Sequence, residues 1–281
     1  MAHRLVASLG SVLLAVVISI PQASAASAAE SPGKSTCPDI KFFGVHGTNE
    51  DGPKFPGDDL GGVGDTVLTV WRSFSESHNG TSVALEAVDF PKSTLDISLP
   101  PSERQVAIKL KQLLDLEAGA DRAAKALSNQ MWATYQRCGT RTRYVLVGYS
   151  QGVWAIDKAL RGGGGLAPNL PAMLDLVAGV YLMGDPAWPR SDQWPGRQGL
   201  ATLVGHGVSA PYTPTRVAGR FRSVCASYAG DVHDAVCMFD GKVANIRRAF
   251  EAHFTYKDNG GAKSGGQWLA SLVGPPNRQD K

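Results

Sequence analysis

Apolar residues fall into two alternating patterns along the chain. Ile40–Val45 (IKFFGV), Val83–Val88, Tyr144–Gly148 (YVLVG), Val177–Met183 (VAGVYLM) and Phe221–Ala226 are short, nearly continuous apolar runs. Runs without strict polar alternation suit parallel strands covered on both faces. Between them the spacing becomes helical. Asp65–Ser77 places Val67, Leu68, Val70, Trp71 and Phe74 on one stripe. Ser102 opens a long helical stretch reaching Arg137, which Gly119 is expected to split into two helices. Val153–Leu160 is a short helix closed by the run Gly162–Gly165, and Ala244–Phe250 and Gln267–Leu272 are two more. Strands alternating with helices predict one α/β domain, a three-layer sandwich around a central, mainly parallel five-stranded sheet. The main irregular stretch is Asp185–Gly219, with five prolines. A connection this long is usually functional or poorly ordered.

The N-terminus follows another pattern. His3 and Arg4 precede the apolar run Leu5–Ile20, which Pro21 breaks, and Ala23-Ser24-Ala25 then offers a small-x-small cleavage site, with Ala26-Ser27-Ala28 as a second. This reads as a secretory signal peptide over residues 1–25, followed by a linker over 26–36, a catalytic-sized domain over 37–274 and a polar tail over 275–281. The run is shorter than the ~20 apolar residues needed to span a bilayer, so stable membrane insertion is not expected. The expected location is therefore extracellular. There the four cysteines, Cys37, Cys138, Cys225 and Cys237, read as disulfides, whose three possible connectivities the spacing leaves open. None of them has a zinc-ligand spacing.

The net charge of +3 over 281 residues, with charges scattered, gives no electrostatic reason to bind nucleic acid. With 43% hydrophobic and 19% charged residues the chain is ordinary for a globular protein, and it is expected to be monomeric.

The chemistry concentrates at Gly148-Tyr149-Ser150-Gln151-Gly152, a G-x-S-x-G motif between a strand and a helix. A sharp turn there lifts the Ser150 hydroxyl to a helix N-terminus, where the dipole favours developing negative charge. Serine needs a base, and in α/β-hydrolases the chain order is Ser, acid, His. His206, His233 and His253 follow Ser150, with Asp231 and Asp234 as candidate acids. His253 is favoured because it leaves the acid on one loop and the base on the next. One oxyanion donor is expected at the amide of Gln151 and another in His46-Gly47-Thr48-Asn49-Glu50, directly after the first strand, with Thr48 offering amide and hydroxyl. No cofactor or metal is needed for such chemistry.

This pattern resembles the cutinase family, which includes acetylxylan esterases and actinobacterial cutinase-like proteins. The resemblance runs from Cys37 to Val273. It rests on HGTNE after the first strand, Cys138 ahead of GYSQG, Gly184-Asp185-Pro186 at a strand end, a cysteine pair bracketing a Gly-Asp, and His253-Phe254-Thr255-Tyr256. It implies an α/β-hydrolase-like fold and a secreted serine esterase acting on cutin-like polyester, lipid or short-chain acyl esters. It also implies Ser150 as nucleophile, His253 as base, Thr48 and Gln151 as oxyanion residues, and disulfides Cys37–Cys138 and Cys225–Cys237. The sequence departs from the family at the acid. Counting back from Cys237 selects Asp234, while matching the Gly-Asp dipeptide selects Asp231, and we prefer Asp231 because its glycine belongs to the turn presenting the acid. Asp185–Gly219 is also longer than the family pattern, and lying over the site it would narrow the mouth. Trp188, Trp194, Leu200, Leu203 and Val204 within it are either an apolar acyl rim or ordinary core. A non-catalytic binding protein on this fold and an acyltransferase are the alternative readings.

Overall fold

A computed structural model describes residues 37–50, 62–78, 81–90, 103–162, 169–186, 215–228, 232–237 and 246–274, with side chains not described at 103–114 and 246. The chain divides into two units, Met1–Thr36, which lies outside the described residues, and Cys37–Lys281. Five parallel strands build the central sheet: β1 (Ile40–Val45), β2 (Val83–Ala87), β3 (Arg143–Tyr149), β4 (Val177–Met183) and β5 (Phe221–Val224), in the order β2-β1-β3-β4-β5. The expected sheet is therefore present, and wholly parallel. No helix among the described residues is long and apolar enough to cross a membrane.

The central strands are mostly apolar because successive side chains enter different cores. Phe43, Val45, Tyr144, Leu146, Val180 and Leu182 join one cluster with α2 (Glu103–Cys138), α3 (Gln151–Leu160) and α4 (Leu170–Leu176). Their neighbours Phe42, Val145, Val147, Tyr181 and Met183 join the other, under α1 (Asp65–Ser77) and the C-terminal helix α6 (Gly261–Val273). Each fully buried side chain of this size contributes about 1.5–3 kcal/mol by leaving water. Close helix packing sets a steric condition on α6: a Cβ on Gly266 would sit 2.4 Å from the Val70 carbonyl oxygen of α1.

Two expectations need correction. The stretch after Ser102 is one helix, not two, because α2 runs unbroken through Gly119. A single helical glycine costs about 1 kcal/mol. Here it is buried beside Ala120, Ala123 and Ala124, so the small-residue face can pack closely. The sequence also gave no sign of the two-residue strands β6 (Ser227–Tyr228) and β7 (Val232–His233), which pair antiparallel. The remaining helix, α5, covers Ile246–His253.

Candidate active site

The site gathers at the carboxyl ends of the strands, where open α/β sheets place their ligands. Ser150 occupies the turn from β3 into α3 with φ 53° and ψ −116°, a backbone region that costs a non-glycine residue on the order of 1–3 kcal/mol. The surroundings hold it there. Its amide donates to the Met183 carbonyl at 2.8 Å, and its carbonyl accepts from Val153 at 3.0 Å. Gly152 is required by close approach, since a Cβ there would fall 2.2 Å from the Val45 carbonyl oxygen.

Gln151 opens α3. Its side-chain Nε2 donates to the Leu116 carbonyl at 2.7 Å, and its Oε1 lies 3.5 Å from the Thr48 hydroxyl. The two residues assigned to the oxyanion are thus neighbours. Thr48 belongs to a turn after β1 in which Asn49 takes a positive φ of 62°. Glu50 fastens this turn. Its Oε2 accepts from the Gly47 amide at 3.2 Å, and its Oε1 accepts from the Thr66 amide at 3.0 Å and the Thr66 hydroxyl at 2.5 Å. The carboxylate therefore serves as N-terminal cap for α1, where the helix dipole favours a negative charge.

His253 ends α5 and is 5% exposed. Its Nδ1 donates to Oδ2 of Asp234 at 2.8 Å. That hydrogen bond leaves Nε2 as the basic nitrogen. Asp234 is fully buried. Its Oδ1 accepts from the Val236 amide at 2.8 Å, and its Oδ2 also accepts from the Tyr256 hydroxyl at 2.8 Å. The Tyr149 ring stacks on the His253 ring with centroids 4.9 Å apart, and its hydroxyl donates to the His253 carbonyl at 2.6 Å. Tyr149 directly precedes Ser150, so the same residue that leads into the elbow also supports the imidazole. Burial, then Glu50 and Asp234, push the Tyr149 phenol well above its ordinary range. Burial, then Asp234, do the same to Tyr256. Both phenols stay protonated and can act as donors.

The carboxylate against His253 is that of Asp234, whereas the sequence favoured Asp231, which lies outside the described residues. The reason is local. The Asp234 amide donates to the Ala226 carbonyl at 2.9 Å, and this turns its side chain under α5. His233 lies on β7 opposite Ser227 and takes no part in the Asp234–His253 pair. His206, Trp188, Trp194, Leu200, Leu203 and Val204 lie outside the described residues. The disulfides are Cys37–Cys138 and Cys225–Cys237, and the second closes the loop carrying Asp234.

Sequence reasoning assigned no role to Glu50, Tyr149 or Tyr256, although all three stand inside the motifs it singled out. Beside the elbow a cleft of about 240 Å³ is lined by Thr48, Asn49, Glu50, Asp65, Thr66, Tyr149, Phe254 and Lys257. Polar and apolar surface share its wall about equally, and Phe254 is 43% exposed on it.

Comparisons with known proteins identify the family and the fold. The family model described as Cutinase matches residues 36–273. Carboxylesterase Culp1 of Mycobacterium tuberculosis is 24% identical over 224 residues, covering 80% of this chain and 76% of that protein. A cutinase of Kineococcus radiotolerans is 27% identical over 242 residues, covering 85% of this chain and 63% of that protein. Among solved structures, the catalytic core domain of acetyl xylan esterase from Trichoderma reesei superposes with a TM-score of 0.54 at 20% identity, covering 84% of this chain and 99% of that one. A cutinase-like protein from Cryptococcus sp. gives 0.53 at 18% identity, covering 86% and 98%. The fold is thus shared with esterases, and the family match spans most of the sequence: the chain belongs to the cutinase family and is a carboxylic ester hydrolase.

Proposed function

We propose that the protein is a secreted serine esterase working through Ser150, His253 and Asp234. His253 Nε2 takes the Ser150 proton as the hydroxyl attacks the ester carbonyl. Asp234 fixes the imidazole tautomer and stabilises the imidazolium. The amides of Gln151 and Thr48 hold the oxyanion, the alcohol leaves, and water hydrolyses the acyl-enzyme with His253 as base. The observation that carries this reading is the buried 2.8 Å His253–Asp234 hydrogen bond, stacked against Tyr149, the residue that leads into a serine held at φ 53°. Two disulfides and the N-terminal apolar segment support export.

The test is hydrolysis of p-nitrophenyl butyrate together with covalent labelling by a fluorophosphonate. Ser150→Ala is expected to lose nearly all activity and all labelling, and Thr48→Ala about 10²–10³ in turnover with the fold retained. Parent-rate hydrolysis by Ser150→Ala would sink the assignment. A series of p-nitrophenyl esters of increasing chain length then separates acetyl esterase from lipid or polyester activity.

A further inference from the structure

We infer that Tyr256 is a positioning residue of the reaction: its buried hydroxyl donates to Asp234 and holds that carboxylate, charged and correctly turned, against His253. The inference rests on the Ser150–His253–Asp234 reading above.

The phenol has one hydrogen and four polar neighbours, the most distant being the disulfide-bonded Cys237 Sγ at 3.8 Å. Its oxygen lies 2.8 Å from Asp234 Oδ2 and 3.3 Å from the Val224 carbonyl, and it accepts from the Ala226 amide at 2.8 Å. With the amide already donating to it, the hydroxyl sends its proton to an oxygen, and the shorter contact to a charged acceptor wins. The ring cannot swing away. It is 2% exposed and packs edge-on against Tyr149 at 5.7 Å and His253 at 6.3 Å. The strongly raised phenol keeps the donor protonated across the working pH range.

Asp234 needs this donor. It is fully buried, and among the described residues its one ion-pair partner is His253. Whenever His253 is neutral, as it must be to act as base, three neutral donors support the charge: the Val236 amide, His253 Nδ1–H and the Tyr256 hydroxyl. Two or three such hydrogen bonds are what keep a buried carboxylate ionised. Removing the Tyr256 hydroxyl leaves Oδ2 with the His253 donor alone, and makes the carboxylate attract the imidazolium proton more strongly.

Tyr256 also closes the end of β5 through Ala226 and Val224, so a purely architectural role must be separable. The pH profile separates them. The other titratable groups against the pair are Tyr149, from the end of β3, and Glu50, which acts on Tyr149 from the oxyanion turn. Both stay in place in every variant below.

The experiment measures kcat, KM and the pH dependence of kcat/KM on p-nitrophenyl butyrate. It compares the parent, Tyr256→Phe, and the protein carrying 3-fluorotyrosine at position 256. Tyr256→Phe is expected to lower kcat roughly tenfold at unchanged KM, and to move the acid limb to higher pH. Fluorination keeps the hydroxyl but makes it a stronger donor, so the limb moves to lower pH. Tyr181→Phe, which deletes a hydroxyl bonded to the Gly261 carbonyl at 2.8 Å, is the control and leaves the limb unmoved. Should Tyr256→Phe not fold, the fluorinated protein decides alone. Acid limbs coinciding with the parent's would overturn the inference. Ser150→Ala, run alongside, keeps the failures apart: an inactive Ser150→Ala with unmoved limbs removes only the role of Tyr256, whereas an active one removes the triad reading beneath it.

Discussion

Gly184 lies against His253 so closely that a Cβ at position 184 would stand 2.7 Å from ring Cε1 and 3.0 Å from Nδ1 and from Asp234 Oδ2. The residue follows β4 with φ 67°, a conformation that suits glycine. Backbone strain and steric displacement therefore fall on the same position, and they predict different magnitudes. Strain from Gly184→Ala costs on the order of 1–2 kcal/mol of stability. Pushing the imidazole off Asp234 costs about 10² in kcat. Thermal unfolding read beside kcat checks this: a small drop in Tm with a large drop in turnover is expected. Parent turnover would place the His253–Asp234 pair away from the reacting atoms.

Glu50 gives a second, independent handle on turnover. One carboxylate accepts from Gly47, in the turn we propose holds the oxyanion, and from Thr66 at the start of α1. A glutamine has only one carbonyl oxygen and cannot serve both sides. Glu50→Gln is expected to lower kcat about tenfold, the cost of losing one hydrogen bond to a charged group, with the helix cap weakened by about 1 kcal/mol. Fluorophosphonate labelling should slow in parallel, because phosphonylation uses the same donors. Unchanged labelling with lower Tm would reduce Glu50 to a helix cap.

These two residues also mark where sequence reading stops. The sheet was legible because strands buried on both faces carry nearly continuous apolar runs, so β1 and β4 have the expected bounds. The elbow was legible because Gly148, Ser150 and Gly152 form a recognisable motif of five consecutive residues between a strand and a helix. The roles of Glu50 and Gly184 depend on contacts with Thr66 and His253, far along the chain, and no local pattern encodes them. The preference for Asp231 over Asp234 has the same origin. A Gly-Asp dipeptide suggests a turn, but the carboxylate that reaches His253 is set by a backbone hydrogen bond to Ala226. Gly119 misled in the opposite direction, because its propensity cost is small beside the packing of α2.

The two disulfides should separate stability from activity. Cys37–Cys138 spans 101 positions and Cys225–Cys237 spans 12. On chain entropy the long loop contributes about 4.7 kcal/mol and the short one about 3 kcal/mol. Only the short loop carries Asp234. Replacing Cys37 and Cys138 by serine is therefore expected to lower Tm more, yet leave kcat near the parent value at a temperature where the variant is folded. Replacing Cys225 and Cys237 is expected to lower Tm less and kcat more. The opposite order in kcat would detach the Asp234 loop from the reaction.

Alkaline stability tests the buried phenols together. Tyr144, Tyr149, Tyr181 and Tyr256 all have their phenols raised, chiefly by burial. An unfolded tyrosine ionises near pH ~10, while these hold their protons in the folded state. Above that pH the folded chain binds more protons than the unfolded one, so stability falls as pH rises. Their contribution is whole below about pH 10 and is lost on the way up to the folded values. Each withheld proton adds about 1.4 kcal/mol per pH unit to the decline. Urea unfolding across this range should show that slope, and Tyr256→Phe should lessen it by one proton's worth. A slope unchanged by Tyr256→Phe would mean that the Tyr256 phenol ionises as readily in the folded protein as outside it. That would contradict a donor sealed between Asp234 and the end of β5.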